Sequence, residues 1–519
     1  MWLYNEIKSL ADISRHYGRH CRNKPALVAG TEKRTFGELD RISNRVANAI
    51  VATGVRPGAN IGFVGKNSLA YFDVQFGAWK AGCALAPLNW RLAPPELAQV
   101  IDDAQPPLIF VDREFHALVA EAQKSCAWQF TTVEFGSETG PDGQLDAWLD
   151  GASDTDPGLP IPPERCAIVL YTSGTTGRPK GVQLSHGAFN YMRLSEHLDS
   201  GFNWTHDDVM MLVMPNFHLV GMGLAIQGLY NGATISMLPA MEPDKLLDAI
   251  ERDRPTVCSL VPTAIQILLS HPRAASTDFS SLRLVMYAGS LIEKTLLKKA
   301  LHMMKCDFLQ FYGTTETWTV TLLRPQQHDA DNEARLKSCG TPPPLVELRI
   351  VDAEGREVAD GEVGEILIRT PTMFSGYLNQ PEVTAAVLRD GWYHTGDAGR
   401  RDADGYYYIL DRVKDMIISG GENVYSIEVE QSLLRHPAVA QAAVIGIPDE
   451  RWGEKIVACV VLREKAAAAP DELIAHCRTL IAGYKAPKEL YCLDSLPMTS
   501  IGKVVKRALR DRYSTLSTA

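Results

Sequence analysis

Residues 166–181 read CAIVLYTSGTTGRPKG, an apolar run that passes without a break into hydroxyl and glycine positions and then a lysine. Cys166 to Tyr171 is short, continuous and apolar, the pattern of a buried strand. The next six positions, Thr172 to Gly177, are all hydroxyl residues or glycine. Glycines leave backbone N–H groups free to converge on phosphate oxygens, the hydroxyls of Thr172, Ser173, Thr175 and Thr176 add donors, and Lys180 supplies charge. The stretch is therefore a phosphate loop by composition. It is not the G-x-x-x-x-G-K-[ST] nucleotide loop, because Pro179 stands five residues after Gly174 and Lys180 precedes Gly181.

On either side, short apolar runs recur at NIGFVG (60–65), CALAPL (83–88), PLIFVD (107–112), VMMLVM (209–214), ATISML (233–238), TVCSLV (256–261) and LRLVMYAG (282–289). Between them lie segments of helical spacing such as EPDKLLDAIERDR (242–254), and TFGELDRISNRVANAIV (35–51) puts Leu39, Ile42, Val46, Ala47 and Ile50 on one helical face. That alternation predicts an α/β domain with largely parallel strands. After Gly340 the runs LVELRIVDAEGREV, GEVGEILIRT and GYYYILDRV predict a small β-rich subdomain. A further α+β unit follows from about Lys414, with SIEVEQSLLRH and DELIAHCRTLI as helices and AQAAVIGIP and KIVACVVL as strands. The expected domains are 1–413 and 414–519.

A chain of 519 residues exceeds one ordinary core, and 45% apolar with 22% charged residues excludes a disordered, collagenous or coiled-coil protein. The net charge of −10 argues against nucleic acid as the main partner. Ten cysteines without a C-x-x-C pair exclude a zinc ribbon and predict reduced thiols in a cytoplasmic protein. Val209 to Met241 contains no Asp, Glu, Lys or Arg, long enough for a membrane span, yet Pro215, Asn216, His218, Gln227 and Asn231 interrupt it and Gly221, Gly223, Gly228 and Gly232 punctuate it. The expectation is a buried strand-and-helix segment lining a pocket, with no membrane span.

In order, the chain carries YTSGTTGRPKG (171–181), PNFH (215–218), YGTTE (312–316), YHTGD (393–397), DRVKD (411–415) and GK (502–503). Six signatures in this order resemble the adenylate-forming acyl-CoA synthetases, relatives of luciferases and of peptide-synthetase adenylation domains. The resemblance covers the whole chain. It implies a large adenylation domain followed by a mobile small domain, MgATP and coenzyme A as co-substrates, and a two-step reaction on a carboxylic acid through acyl-AMP.

The resemblance also assigns roles. Thr172 to Gly177 with Lys180 would hold phosphates, and Thr175 joins the catalytic set. Tyr312 resembles the aromatic on which adenine stacks, flanked by Phe311, Gly313, Thr314 and Thr315. Glu316 resembles the Mg²⁺ ligand, a role suited to a hard oxygen anion. Taken alone, Tyr312 reads as core and Glu316 as a solvated charge. Asp397 resembles the carboxylate that accepts both ribose hydroxyls, with Arg412 as a second contact. Gly289 and Ser290 are similar to the segment against adenine and acyl group, although many relatives have Pro where this chain has Leu291. Lys503 resembles the lysine that reaches the α-phosphate and carboxylate oxygens as charge builds, a kind of stabilisation worth about 2.7–4 kcal/mol per donor. Lys414 matches the hinge position.

For the thiol substrate, Gly420 and Gly421 resemble the strip along which pantetheine threads. Trp452, Tyr484 and Lys488 resemble the surface for the nucleotide end, and Arg91 an arginine that meets a coenzyme A phosphate. Some relatives have Arg where this chain has Ala486. The acyl pocket is expected from His218, Leu219, Val220, Ala288, Phe311, Trp318 and Thr319, with Met222 where long-chain relatives can carry a tryptophan gate. His218 is similar to a gating residue and not a general base, since a carboxylate is already ionised at neutral pH. Trp318 can cap the pocket for a compact or aromatic acid or form one wall of a tunnel, and the acid is left as a fatty or aryl acid. The nearest rivals are an enzyme loading a carrier protein and a degenerate nucleotide-binding protein. The reading leaves room for a homodimer and for a lysine acetyltransferase acting on Lys503, which sits in the P-x-x-x-x-G-K form.

Overall fold

The computed structural model describes residues 6–136, 143–172, 179–202, 204–288, 292, 294–329, 331–412, 415–419, 422–449, 452–498 and 504–514. The chain forms two compact units, Met1–Leu348 with Ile368–Tyr393, and Arg349–Leu367 with His394–Ala519. The β-rich stretch expected after Gly340 thus falls mainly in the second unit.

All eight apolar runs are strands: Asn60–Val64, Ala84–Leu88, Leu108–Asp112, Cys166–Thr172, Val209–Leu212, Thr234–Met237, Val257–Leu260 and Leu284–Tyr287. They divide between two sheets. The first carries, side by side, Cys166–Thr172, Ala84–Leu88, Asn60–Val64, Leu108–Asp112 and Thr131–Phe135, all parallel, as the apolar-run reading predicts. The second carries Asp307–Thr314, Leu284–Tyr287, Val257–Leu260, Val209–Leu212, Thr234–Met237 and Pro25–Ala29, again parallel. Antiparallel strands finish the edges: Lys180–Ser185 and Gly376–Tyr377 on the first sheet, Trp318–Leu323 and Glu32–Thr35 on the second. Parallel strands buried on both faces need no alternation, which is why these runs read as continuous Val, Leu, Ile and Met.

The helix expected over 35–51 is Phe36–Ala52. Thr35 caps it, its hydroxyl accepting the Glu38 N–H at 3.2 Å while the Glu38 carboxylate accepts the Thr35 N–H at 2.8 Å. The charge-free stretch resolves as strand Val209–Leu212, helix Leu219–Tyr230 and strand Thr234–Met237, the helix buried from Gly221 to Tyr230. Among the described residues no helix is long and apolar enough to cross a membrane.

In the second unit, strands Glu422–Val424, Ile417–Ser419, Gly453–Leu462 and Val439–Asp449 lie in that order, and Glu489–Cys492 pairs with Gly453–Leu462. Helices Ser426–Leu434 and Pro470–Leu480 bury Val429, Leu433, Leu473 and Cys477 against Val444, Ile456 and Ala458. Helix Lys506–Ser514 packs Leu509 and Tyr513 on Ile445, Val457 and Cys459. All ten cysteines are free thiols.

Candidate active site

Strand Cys166–Thr172 turns back into Lys180–Ser185, with Thr172 opposite Lys180. The phosphate-loop residues Ser173, Gly174, Thr175, Thr176 and Gly177 lie outside the described residues. What flanks them is built tightly. The Tyr171 hydroxyl donates to Asp103 Oδ2 at 2.7 Å, and burial pushes the Asp103 carboxyl above its ordinary value, against that hydrogen bond. Strand Gly376–Tyr377 pairs with Lys180–Ser185 and Leu378 N–H donates to Gly181 C=O at 2.7 Å. The aromatic face of Tyr377 therefore lies 4.9 Å from Lys180 Nζ, while its hydroxyl donates to Glu316 Oε1 at 2.7 Å. One tyrosine thus joins the two charges, lysine on its face and carboxylate at its tip.

Glu316 sits in the turn between strands Asp307–Thr314 and Trp318–Leu323, and its side chain is buried. The turn is braced from outside: Phe374 N–H donates to Glu316 C=O at 2.7 Å and the Thr372 hydroxyl to Thr317 C=O at 2.8 Å. A Cβ on Gly313 would stand 1.7 Å from the Trp318 carbonyl oxygen, so only glycine allows this hairpin to close. Phe311 is buried, and Tyr312, Thr314 and Thr315 are half-buried along the same strand end. Trp318 takes a positive φ of 66°, rare for a bulky residue, and is buried. A Cβ on Gly223 would lie 1.8 Å from Trp318 Cη2, so the six-membered edge of the indole rests on the bare backbone of helix Leu219–Tyr230. Phe189 meets the same indole edge-on at 5.4 Å.

His218 is the N-cap of that helix and half-buried, its ring 4.5 Å from the Phe217 ring. The PNFH turn is pinned by two asparagines. Asn216 Nδ2 donates to Gly65 C=O at 3.1 Å, and Asn67 Nδ2 to Met214 and Leu238 C=O at 3.1 and 3.0 Å. Leu219, Val220 and Thr319 are half-buried, Ala288 buried and Met222 fully buried. Gly289 and Ser290 lie outside the described residues. Arg91 is exposed as a residue, but its guanidinium stacks 4.6 Å from the Trp90 ring and 6.0 Å from Phe217, and its partial desolvation lowers its pKa.

In the second unit, Asp397 and Arg412 are direct cross-strand partners. Asp397 is buried. Its N–H donates to the Thr395 hydroxyl at 2.9 Å, and that hydroxyl donates to Ile366 C=O at 2.7 Å. Lys488 Nζ lies 5.1 Å from the Trp452 ring and 3.3 Å from the Tyr484 carbonyl oxygen. The three expected residues therefore share one patch. Burial, and then the nearby Arg478 charge, pulls Lys488 below the usual lysine value. Ala486 is fully buried, so the arginine found there in some relatives has no counterpart on this surface. Lys414, Gly420, Gly421 and Lys503 lie outside the described residues.

Sequence reasoning missed Tyr377, Asp103, Phe189 and the role of Gly223. Each acts by contact with a residue distant in the chain, and none stands inside a recognisable motif. The spacing of Gly221 and Gly223 within an apolar helix was the one available signal.

A strand hairpin whose Lys180 is joined to the buried Glu316 carboxylate through Tyr377, together with a second unit that carries the Asp397–Arg412 strand pair, supplies the residue types that a nucleotide-using, adenylate-forming enzyme employs. The AMP-binding enzyme family matches residues 13–378 and its C-terminal domain residues 428–503, and the chain belongs to that family, in the acyl-CoA synthetase class. It is 36% identical to fatty acid–[acyl-carrier-protein] ligase ScoC of Streptomyces coeruleorubidus, over 98% of this chain and 97% of that protein. It is 37% identical to feruloyl-CoA synthase of an Amycolatopsis species, over 95% of this chain and 98% of the relative. The structure of ATP-bound MatB from Rhodopseudomonas palustris superimposes with a TM-score of 0.87 at 31% identity, over 98% of this chain and 99% of MatB. The family uses ATP with Mg²⁺. Glu316 fits that ion by its chemistry, a buried oxygen donor with only Oε1 engaged by Tyr377 among the hydrogen bonds described.

Proposed function

We propose that the protein activates a compact, preferentially aromatic carboxylic acid as its acyl-AMP and transfers the acyl group to coenzyme A in the cytoplasm. The observation that carries the choice of acid is the Trp318 indole seated on Gly223 and faced by Phe189, a packing that supports the reading of Trp318 as a cap for a compact acid. Relatives named for ferulate, indoleacetate and 3-hydroxybenzoate, at 33–37% identity, support the aromatic reading.

In this reading the acid's carboxylate enters past His218 with its apolar body against Ala288, Leu219, Val220, Phe311, Trp318 and Thr319. Its oxygen attacks the α-phosphorus of ATP, the bond to the β-phosphate oxygen breaks, and pyrophosphate leaves. Lys180 and the loop from Thr172 to Gly177, Thr175 included, hold the phosphates. Adenine lies along Tyr312 to Thr315 and against Gly289 and Ser290, and the ribose hydroxyls meet Asp397 and Arg412. Mg²⁺ bound at Glu316 would offset phosphate charge. Lys503 steadies the negative charge that builds on the α-phosphate and carboxylate oxygens. The coenzyme A thiolate then attacks the acyl carbon and AMP leaves with the electron pair of the mixed-anhydride C–O bond. The patch of Trp452, Tyr484 and Lys488, with Arg91, supplies stacking and charge for the nucleotide end, and Gly420 and Gly421 the path for pantetheine. Residues 1–413 and 414–519 act as the functional domains, with Lys414 as hinge between the half-reactions.

The test is pyrophosphate and thioester release with MgATP and coenzyme A across short, medium and long fatty acids, benzoates and cinnamates, with Lys503→Ala as control. A Lys503-dependent signal strongest for aromatic acids is expected, and Trp318→Ala should admit longer alkyl chains. A wild-type preference for long-chain acids overturns the acid class. Acyl-AMP formation without a coenzyme A thioester moves the function to carrier loading, as ScoC's name describes for that relative.

Control at Lys503 belongs to the same proposal. Acetylation removes its charge, so a Lys503→Gln variant should lose acyl-AMP formation but keep thioester formation from supplied acyl-AMP. Equal loss of both half-reactions counts against it. A homodimer is compatible with this chemistry and requires no shared residue.

A further inference from the structure

The N-terminal helix Ala11–His20 carries two histidines four residues apart, one turn of helix, so both imidazoles leave the same side. Their ring centres are 4.6 Å apart. Glu6, from the segment that leads into the helix, places a single oxygen, Oε2, 2.6 Å from His16 Nδ1 and 3.6 Å from His20 Nε2. The three donor atoms lie within 4.8 Å of one another. A glutamate–histidine hydrogen bond needs only one imidazole. A second one turned toward the same oxygen, beyond hydrogen-bond length, is the arrangement of a shared ligand.

We propose that Glu6, His16 and His20 form a binding site for a divalent transition-metal ion, Zn²⁺ in first place. Two imidazole nitrogens and one carboxylate oxygen are a three-protein-ligand zinc set with the fourth position left to water. Zinc–ligand bonds of about 2.0–2.1 Å spread tetrahedral donors to about 3.3 Å. The His20–Glu6 separation of 3.6 Å is within a few tenths of an ångström of that spacing. The His16–Glu6 pair must open by several tenths of an ångström, which the half-exposed Glu6 side chain can do by rotation. Mg²⁺ does not compete, because it demands octahedral oxygen ligation.

The surroundings give His16 a buried setting and the segment a fixed frame. His16 is buried, and burial is the largest of the influences that together lower its pKa; the Glu6 hydrogen bond raises it, while His20 and Arg19 lower it further. Ser9 N–H, Lys8 N–H and the Ser9 hydroxyl all donate to Asp12 Oδ2, fixing the turn between Glu6 and the helix. The same segment is tied to the helices beside the acyl pocket. Tyr230 donates its hydroxyl to Ile7 C=O at 3.1 Å, Asn190 Nδ2 donates to Lys8 C=O at 2.7 Å, and Leu10 N–H donates to His186 Nδ1 at 3.1 Å. A metal ion at Glu6 would therefore clasp the N-terminal strap over helices His186–Leu198 and Leu219–Tyr230, which carry Phe189 and Gly223.

The test uses the full chain after chelator treatment, titrated with Zn²⁺ alone by calorimetry, with Co²⁺ as a spectroscopic probe of tetrahedral ligation. His20 and Glu6 are exposed, so His20→Ala and Glu6→Gln leave the fold intact, which their thermal midpoints check. One equivalent of Zn²⁺ bound by the parent chain is expected, with a raised thermal midpoint. Each variant should bind at least about tenfold more weakly, while its MgATP-dependent adenylation stays unchanged. Absence of zinc uptake by the parent chain overturns the proposal. Uptake that is equal in both variants assigns the ion elsewhere and overturns it as well.

Discussion

At the scale of single residues, the site turns on Tyr377. Its hydroxyl holds one oxygen of Glu316 and its ring carries Lys180, so a metal-ligand candidate and a phosphate-loop lysine are positioned by one side chain. A hydrogen bond to a charged group is worth about 1.5–3 kcal/mol. Tyr377→Phe, which keeps the ring under Lys180, should therefore lower kcat/KM for MgATP by about tenfold to a hundredfold in an ATP–pyrophosphate exchange assay. Tyr377→Ala should cost more, because Lys180 also loses its platform. An unchanged Tyr377→Phe enzyme would show that Glu316 is held in place without it. This residue was illegible in the sequence for a physical reason: it lies 61 positions from Glu316 and reaches it only because a two-residue strand adds to the edge of the phosphate-loop sheet. Lys180 was legible as a cation closing a stretch dense in glycine and hydroxyls, whereas Glu316, which taken alone reads as a solvated charge, is buried, and only the resemblance marked it as a metal ligand.

At the scale of elements, the proposed acyl site is a packing problem between one helix and one hairpin. The strands were readable because burial on both faces writes a continuous apolar run, and the long helix 36–52 because its buried positions repeat at helical spacing. The division of the parallel strands into two sheets was not readable. Pairing is set by long-range contacts that leave no mark on any one strand, and runs such as CALAPL and TVCSLV are interchangeable by pattern. The contact between helix Leu219–Tyr230 and Trp318 was equally hidden, since Gly223 looks like punctuation until the indole is seen against its backbone. Gly223→Ala tests that contact. Its Cβ would stand 1.8 Å from Trp318 Cη2, so the indole must move or the helix must shift. Overpacking of this kind costs about 1–3 kcal/mol, readable as a lower urea midpoint. The moved indole should also worsen KM for aromatic acids more than KM for MgATP. Equal changes in both constants would place the effect on general stability and not on the acyl pocket.

At the scale of the whole molecule, the buried ionisable groups of the first unit make stability depend on pH, and their signs can be worked out. His186 is buried and its pKa falls to about 3, chiefly through desolvation, while Leu10 N–H occupies its Nδ1. His328, between Tyr287 and the Arg324 carbonyl oxygen, falls to about 4 for the same reason. Both are bases whose folded pKa lies below the unfolded value of about 6.5. As pH drops below that value the unfolded chain takes up protons that the folded chain refuses, so stability falls by about 1.4 kcal/mol per pH unit for each. Glu196 acts in the opposite sense. It is a fully buried carboxyl pushed well above its ordinary value by desolvation, against the pull of Arg193, so the folded chain keeps a proton that the unfolded chain loses above about pH 4.5. Acidification therefore favours the folded form through Glu196 while opposing it through the two histidines, so Glu196 offsets part of the stability that the histidines lose as pH falls below about 6.5. His186→Asn, which can keep an acceptor for Leu10 N–H, should remove one histidine's share and flatten the urea midpoint over that range. Glu196→Gln, unable to hold the extra proton, should make the parent's decline steeper. If both variants follow the parent's pH curve, these buried groups do not set its acid sensitivity, and the carboxylates that titrate near pH 4 do.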